Sequence, residues 1–391
     1  MTLNKTTIAV LTGLAITTSM SASANIRING FGNLVGGINS DEIEFLGYSD
    51  DIDFSQDSLF GLQVSGDIND KMTATAQILS RGANDYSADF EWAYLSYKAN
   101  ENLTLTAGRF RLPLFNYSAS LDVGYSQHWV SAPSTVYNVP FNNIDGFKVD
   151  YSGELGSFDS LASVSVGQFK GETLGTDITG KNTVLASYEL STMTWRLRGV
   201  YGFTDTTLNL LNSTDVSTRM AGEAIEGIAA VGFADLADNL RVDDDSGEFL
   251  GLSVSYDNFD YFASAEFTSI RLDDTFANDD DAFYVTAGVR LDKWTPSLTY
   301  EAFDSSGDVK YGDQITALVT SELPNEVKSA LAGLATGIQL QQNSEYSIMT
   351  ATLRYDYDAN IAIKGEVSRL SDDLNSDNDS TLFRVGVNYV F

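Results

Sequence analysis

Most of this 391-residue chain alternates, residue by residue, between apolar side chains and polar or small ones. The pattern is clearest at the end of the sequence, where Phe383, Val385, Val387, Tyr389 and Phe391 share one parity. Because successive side chains of a β-strand point to opposite faces, such a run predicts a strand with one apolar face. A soluble β-sandwich would show the same alternation, so the period alone does not choose the architecture.

The connections between the alternating runs narrow the choice. The runs predict sixteen strands, at 25–38, 58–68, 71–81, 89–98, 102–110, 145–153, 158–170, 182–190, 193–204, 247–257, 259–271, 281–291, 293–304, 345–357, 361–370 and 380–391. Long and short connections alternate strictly between these strands, beginning with a long one. A transmembrane β-barrel has this pattern, with tight turns at one rim and long loops at the other. We therefore predict an all-β protein, a sixteen-stranded antiparallel transmembrane barrel with both termini at the short-turn rim.

Charged residues on the apolar parity support the barrel prediction. The parity places Glu91, Arg271 and Arg369 on the outward face, each at the long-loop end of its strand. An Arg or Lys facing lipid costs about 2–4 kcal/mol at the middle of a bilayer and little at its surfaces. A soluble sandwich has no reason to exclude charge from the middle of one face of every strand.

The first 24 residues have the features of a secretory signal peptide. Lys5 precedes a short apolar run at residues 8–16, and Ala22-Ser23-Ala24 matches a cleavage site. The run is too short to span a bilayer as a helix, which needs about 20 residues. We predict a cleaved signal peptide at 1–24 and one barrel domain at 25–391, exported from the cytoplasm.

Composition excludes several classes of function. Acids outnumber bases 54 to 23, which excludes a sequence-independent nucleic-acid binder. The absence of cysteine and the single histidine, His128, leave no thiol chemistry and little room for a catalytic triad or a metal site. Asp243-Asp244-Asp245 lacks the spacing of an EF-hand loop, and neither G-x-S-x-G nor H-E-x-x-H occurs. We expect no enzymatic activity, no cofactor and no metal site, and we expect His128 to be a packed polar group.

Three of the long connections differ from the rest in composition. Residues 219–239 and 313–337 are rich in Ala, which predicts short helices in two loops, the second broken at Pro324. The connection 111–144 is aromatic and carries one acid, Asp122, with Asp145 just beyond it. Because the other long loops carry runs of Asp, a loop so poor in charge is expected to be buried. It would lie inside the barrel or clasp a neighbouring subunit.

Several segments resemble the trimeric outer-membrane porins of Gram-negative bacteria. They are the signal peptide, the start NIRINGFGNLVGG, the sequence GRFRLPLF that opens the 111–144 connection, and the ending FRVGVNYVF. The resemblance implies a general diffusion porin in the outer membrane, a third loop folded into the lumen, and a homotrimer. It also implies that Tyr389 and Phe391 belong to the signal recognised by the barrel assembly machinery, and that the barrel contacts membrane lipid and lipopolysaccharide.

Inward parity predicts the residues that line the lumen. It places Arg27, Arg81, Arg198, Glu266, Glu301, Arg354, Lys364, Glu366 and Arg384 toward water, with Lys364 and Arg384 as neighbours on the wall. If this wall faces Asp122 and Asp145 across the lumen, a transverse field crosses the narrowest point and orients dipolar solutes. Alternatively, the bases pair with Glu366 and Asp356 and only hold the wall together.

The leading prediction for function is a passive, water-filled channel for small hydrophilic solutes and ions. One alternative is a solute-specific porin, for example for oligosaccharides, in which Tyr117, Tyr125, Trp129 and Tyr137 stack on sugar rings. Another is a surface adhesion or structural barrel whose helical loops close the mouth.

Side-chain size on the outward face predicts a homotrimer interface. Small residues concentrate in strands one to five, at Gly30, Gly32, Gly36, Ala74, Ala76, Ala93 and Ala107, whereas strands eight to twelve carry bulky aromatic and Leu side chains. Small residues allow two protein surfaces to approach closely in a membrane. They could also mark tight curvature of the barrel.

Overall fold

The computed structural model describes residues 25–391, so the predicted signal peptide lies outside the described residues. Sixteen strands form one closed antiparallel sheet in which each strand pairs with its neighbours in sequence. They are β1 Ile26–Asn39, β2 Leu59–Asn69, β3 Met72–Arg81, β4 Ala88–Lys98, β5 Leu103–Arg111, β6 Asn143–Leu155, β7 Phe158–Thr173, β8 Thr176–Ser191, β9 Trp195–Leu208, β10 Val242–Asp257, β11 Tyr261–Leu272, β12 Asp280–Val289, β13 Trp294–Ser305, β14 Ser344–Asp358, β15 Ile361–Asp372 and β16 Ser380–Val390. The predicted sixteen-stranded antiparallel barrel is confirmed.

Helices occur only in connections within the described part of the chain. They are α1 Ser134–Tyr137, α2 Val216–Ala230, α3 Ala234–Asn239, α4 Gly312–Thr320 and α5 Asn325–Leu340. Single 3-10 turns lie at Gly82–Asn84, Ser118–Ser120, Gly124–Ser126, Leu210–Asn212 and Ser376–Asn378. Helices are present in both predicted segments, 219–239 and 313–337. In the second segment α4 ends at Thr320 and α5 begins at Asn325, directly after Pro324. Over residues 25–391, no helix is long and apolar enough to cross a membrane.

One predicted long connection is wrong. The connection expected at 171–181 is instead a two-residue hairpin, because β7 and β8 pair as far as Thr173 and Thr176. Leu174 and Gly175 both have positive φ, 52° and 67°, as the tight turns of two-residue hairpins require. The paired extension contains irregularities near residues 168 and 182, which interrupted the period-two pattern and hid the strands in the sequence.

The strands of the barrel present an apolar face outward and a polar face inward. On β6, the outward Phe147, Val149 and Tyr151 are exposed, while Lys148 and Asp150 between them point inward and form an ion pair. A closed barrel has no free sheet edge, and its alternating strands place polar groups in the interior. The described residues therefore have the outward apolar surface that the alternation predicted.

Helices α2 to α5 form a covering structure above part of the long-loop rim. They enclose an apolar cluster, the lid cluster, that includes Ile225, Ile228, Leu236, Leu318 and Ala335, all nearly inaccessible to solvent. Asp215 begins α2 as its N-cap, accepting a hydrogen bond from the Thr218 N–H at 2.7 Å. Two separate loops are thus fixed to each other by their own hydrophobic core.

Aromatic rings cover the outward glycines of β1. A Cβ at Gly32 would lie 2.5 Å from the ring of Tyr389, and one at Gly36 would lie 2.5 Å from the ring of Phe54. The ring of Phe391 occupies the corresponding space at Gly30. These three glycines were predicted to form an open surface for a neighbouring subunit. In the described structure they receive aromatic rings of the same chain, which weakens the argument from side-chain size for a trimer interface.

Candidate functional site: the lumen and its inner loop

The connection between β5 and β6, residues 112–142, lies inside the barrel and is here named the inner loop. Three glutamates from alternate wall strands each accept a backbone N–H of this loop. Glu266 accepts from Asn116 at 2.8 Å, Glu301 from Thr135 at 3.2 Å, and Glu366 from Val130 at 3.0 Å. Buried backbone donors need such partners, because an unpaired one loses its hydrogen bonds to water without replacement. The carboxylates thus hold the loop against β11, β13 and β15.

Basic side chains of the wall bind the carbonyl groups of the same loop. Lys364 Nζ donates to the carbonyls of Gly124 at 2.6 Å and Trp129 at 2.5 Å. Arg354 Nη1 donates to the carbonyls of Tyr125 at 2.6 Å and Gln127 at 2.7 Å. The wall cations therefore satisfy the loop backbone instead of facing open water.

Arg198 and Arg384 complete this set of cations. Arg198 donates to the carbonyls of Pro113 and Leu114, the latter at 2.9 Å. Arg384 donates to Ser131 Oγ at 2.6 Å, to Asp57 at 2.8 Å and to Glu366. The structure places Lys364 and Arg384 beneath the loop, with exposures of 1% and 5%. The expectation that the loop's acids face them across an open lumen is wrong, because the loop lies directly on this wall.

Aromatic side chains of the inner loop pack against the wall. Trp129 is buried, its Nε1 donates to Thr299 Oγ1 at 2.8 Å, and its ring meets Tyr284 edge to face. Tyr137 is buried in the same cluster, while Tyr125 donates to the Ala359 carbonyl at 2.6 Å. Trp129 and Tyr137 are therefore not available to stack on a sugar, and Tyr117 packs edge to face against Trp129.

Replacing Tyr137 by Phe is expected to destabilise the folded barrel by about 1–3 kcal/mol. The Tyr137 hydroxyl donates to Glu266 Oε2 at 2.6 Å and accepts the Tyr117 N–H at 3.2 Å, and both partners would lose a buried bond. The measurement is the free energy of unfolding in urea. Tyr201→Phe is the matched control, since the Tyr201–Glu248 bond of 2.9 Å is exposed and its loss should cost little. Equal effects of the two changes would contradict the buried role of Tyr137.

A four-residue ion network joins the inner loop to the opposite part of the wall. Arg81 donates to Glu91 and to Asp122, both at 3.0 Å, and Arg111 pairs with the same two carboxylates. The prediction that Glu91 faces outward is wrong. A bulge in β4 pairs Gln77 with Trp92 and Ile78 with Phe90, so Glu91 is skipped and turns inward. Asp122 lies in this network, as a residue of the lumen.

Of two other predicted lumen residues, Asp145 faces outward and Arg27 faces inward near the short-turn rim. Asp145 shares the outward face with Phe147 and pairs with Arg109 at 2.8 Å, so its placement in the constriction is wrong. It belongs to β6 and not to the loop, and the strand's parity directs it outward. Arg27 points inward but lies near the start of β1, where it pairs with Asp67 at 2.7 Å. Along the barrel axis it lies far from the level of Lys364 and Arg384.

Exposed charges remain on the inward face of β3 to β9. The side-chain exposures of Arg81, Lys148 and Arg196 are 29%, 25% and 46%. A polar cavity of about 450 Å³ extends from Arg81 and Asp122 to Asp57 and Arg384, between the inner loop and the first long connection. This free space lies between the inner loop, the first long connection and the part of the wall formed by β16 and β1 to β3.

His128 belongs to the loop packing. Its ring stacks on Phe262 with centroids 3.8 Å apart and an interplanar angle of 15°. Burial, with a further contribution from Arg290, Arg354 and Lys364, lowers the pKa of His128 to about 3, so the imidazole stays neutral at physiological pH. Within residues 25–391, no group of three or more His, Cys, Asp or Glu side chains is placed to hold a metal ion.

The sequence did not identify all residues that hold the loop. Inward parity included Arg354, Glu266 and Glu301, but nothing in the alternation distinguished side chains that bind a loop from those that face water. Arg111 ends a strand on the outward parity and turns inward with the chain. Glu91 was hidden by its bulge, for which the sequence has no Gly or Pro marker.

Comparisons with known proteins agree with the fold. No protein-family model matches the sequence, and no curated protein matches it. Among solved structures, Salmonella typhi OmpF in complex with daunomycin has a TM-score of 0.57 and 12% identity, covering 94% of this chain and 97% of that one. The anion-selective porin from Comamonas acidovorans has a TM-score of 0.56 and 12% identity, covering 94% and 100%. The trimer form of in-vitro folded OmpT, an outer membrane protein of Vibrio cholerae, has 0.53 and 9%, covering 94% and 99%. At such identities the likeness establishes a shared fold, that of the general porins.

Proposed function

We propose that this protein is a passive, water-filled channel of the outer membrane for small hydrophilic solutes and ions. The observation that carries the proposal is a lumen narrowed by a loop that is bound to the wall, with exposed charges on the inward faces of β3, β6 and β9 beside it. Sixteen strands enclose more space than side chains can fill, whereas about eight do not. The shared fold with porins supports the same function.

The proposed path runs between the inner loop and the wall formed by β2 to β9. Its charged border consists of Arg81, Lys148, Asp150, Arg196 and Asp122. Lys364, Glu366, Arg198 and Arg384 position the loop that narrows this path. Arg81 with Asp122, Lys148 with Asp150 and Arg196 with Glu189 are ion pairs, so the field that solutes meet comes from three local dipoles along this border.

Replacing Asp122 by Asn is expected to shift ion selectivity toward anions. Asp122 and Glu91 together balance Arg81 and Arg111, so removal of one carboxylate leaves one net positive charge beside the path. The measurement is the reversal potential in a salt gradient across a planar bilayer. Asp70→Asn, which removes the same charge from an exposed short turn, should change the reversal potential much less. A shift toward cations, or equal shifts for both variants, would contradict the assignment.

Export and membrane insertion form part of the proposal. Residues 1–24 would be removed as a signal peptide, and the outward apolar face would contact outer-membrane lipid. We propose that the ending with Tyr389 and Phe391 is read by the barrel assembly machinery, and that the acid-rich loop tips face lipopolysaccharide. The Phe391 ring lies exposed on the outside of the barrel, near Phe60 and Tyr389, which suits a role before or during insertion.

A homotrimer is proposed on two grounds. The outward faces of β3, β4 and β5 carry Ala74, Ala76, Ala93 and Ala107, which allow close approach of a second protein surface. A protein of the same fold, Vibrio cholerae OmpT, has a trimer form. Native mass measurement in detergent tests the proposal, and a monomer under mild conditions would contradict it.

We propose no catalytic role for the barrel. A hydrolase would need an accessible base and nucleophile, and His128 is stacked on Phe262 and surrounded by Arg290, Arg354 and Lys364. A closed structural or adhesion barrel is the second candidate, and the lid cluster above the rim favours it. Liposome swelling separates the two, because a channel admits sugars and amino acids below a size limit and a closed barrel admits none. Saturation by one solute class would indicate a solute-specific porin.

A further inference from the structure

An apolar cavity of about 330 Å³ lies inside the long-loop end of the barrel, and is here named the upper pocket. One side is formed by members of the lid cluster, Ile178, Leu208 and Phe276. The other side is formed by residues packed with the inner loop, Leu112, Leu185 and Phe249. The volume falls at the lower end of the range for small-molecule sites. Its apolar lining contrasts with the polar cavity beside Arg81 and Asp122.

A single inward-facing carboxylate lines the upper pocket. Asp280 begins β12 opposite Ile270, on the same inward face as Ala282 and Tyr284. The other charged residues at the pocket, Glu248 and Arg271, share the outward parity of their strands. Asp280 therefore supplies the pocket's charge.

Asp280 makes no ion pair with any basic residue of the described chain. Arg271 pairs with Asp279 at 3.4 Å, on the outer side of the same loop. The Lys310 amine donates to the carbonyl of Ala277. Both nearby cations are engaged by other groups, so no positive charge of the described residues compensates the Asp280 carboxylate, whose hydrogen-bond partner is the Ser305 hydroxyl.

We propose that the upper pocket binds small amphiphilic organic cations, with the apolar body among Leu112, Leu185 and Phe249 and the cationic group beside Asp280. Burial of the body removes apolar surface from water, and the cation compensates a carboxylate that otherwise faces an apolar site. Organic anions are repelled by Asp280. Neutral apolar molecules leave the carboxylate uncompensated, so a cation is the favoured occupant.

The acid-rich loops support the same sign of ligand. Asp279 and Asp281 flank Asp280, and Asp243, Asp244 and Asp245 occupy the start of β10, two strands away from β12. Such a rim raises the local concentration of cations over about 8 Å at physiological ionic strength. The rim attracts cations in general, whereas the pocket selects those with an apolar body.

The test is isothermal titration calorimetry of the full barrel in lipid nanodiscs, with empty nanodiscs as the blank. Benzyltriethylammonium carries both features of the proposed ligand, tetramethylammonium lacks the apolar body, and phenylacetate carries the opposite charge. We expect saturable binding of benzyltriethylammonium only. The measurement requires no ion flow, so a barrel that fails to conduct could still bind the cation and the two proposals fail separately.

Two variants and one control locate the binding. Asp280→Asn is expected to weaken binding by about tenfold or more, since an ion pair in a partly desolvated site is lost. Thr204→Phe, which fills the pocket from β9, should abolish binding while leaving Asp280 in place. Asp281→Asn removes the adjacent carboxylate on the outward face and should leave the affinity within about twofold of wild type, since an exposed pair contributes little.

The proposal is overturned if the wild-type barrel shows no saturable binding. It is also overturned if Asp280→Asn and Asp281→Asn weaken binding equally, because the attraction would then come from the acidic rim alone. Retained binding in a folded Thr204→Phe variant would place the ligand outside the upper pocket. Heat-modifiable migration in electrophoresis verifies that each variant is folded.

Discussion

Replacing Lys364 and Arg354 together by Met is expected to detach the inner loop and to raise the single-channel conductance. The two side chains donate to four loop carbonyls, those of Gly124, Trp129, Tyr125 and Gln127. Each buried carbonyl that loses its partner costs about 1–3 kcal/mol, so the docked loop loses on the order of 4 kcal/mol or more. That cost corresponds to about a thousandfold change in the docking equilibrium. The loop should then become sensitive to added protease.

The matched control is the double variant Lys148→Met and Arg196→Met. It also removes two positive charges, but from side chains that are partly exposed. Neither Lys148 nor Arg196 is among the side chains that bind the inner loop. It should shift selectivity toward cations while the single-channel conductance and the protease resistance stay close to wild type. If the Lys364 and Arg354 variant kept a protease-resistant loop and unchanged conductance, these cations would not be what holds the loop in place.

Replacing Gly32 by Leu is expected to prevent most of the protein from reaching the closed, folded barrel. Gly32 pairs directly with Tyr389 across the seam between the first and last strands, and a Cβ there would lie 2.5 Å from the Tyr389 ring. Overpacking of a fitted site costs about 1–3 kcal/mol, and here the cost falls on the contact that closes the sheet. Unheated electrophoresis measures the folded fraction, and urea unfolding measures the stability of any barrel that forms.

Gly365→Leu is the control for the seam. Gly365 lies on the outward face of β15, pairs with Val385 on the same last strand, and has nothing within 4 Å of the position of an added Cβ. The substitution adds the same side chain on β15, which pairs with the other edge of β16, and it causes no clash. A folded fraction lowered equally in both variants would show that added bulk near β16, and not the Gly32–Tyr389 contact, impairs assembly.

The barrel itself could be predicted from the sequence because its physical cause is local. Each strand must alternate apolar and polar side chains, because one face points outward and the other points into the lumen. The alternation from Phe383 to Phe391 is visible without knowledge of distant residues. The alternation of long and short connections then distinguished the long-loop rim from the short-turn rim. Alternation misplaces residues where a backbone irregularity breaks the period, as at the Glu91 bulge and in the extended β7–β8 hairpin.

The lumen could be predicted only in part, because parity gives the face of a side chain and not its partner. Parity placed Lys364, Glu366 and Arg384 inward correctly, but their contacts with the carbonyl and N–H groups of the inner loop depend on tertiary packing. The aromatic composition of the inner loop indicated that it is buried. For Lys364 and Arg384, a structural role in the wall describes the contacts better than an open constriction does. The error for Asp145 arose from placing it with the loop when it lies two residues before Phe147 on the same strand.

The most direct test of an open, water-filled channel is single-channel recording of the purified barrel in a planar lipid bilayer. A water-filled path beside Arg81, Lys148 and Arg196 predicts stable, stepwise conductance increments that are proportional to voltage and rise with salt concentration. Asp122→Asn recorded in the same way should keep the steps and move the reversal potential toward anions. A folded, inserted barrel that shows no steady open steps would contradict the account and would favour a closed structural barrel.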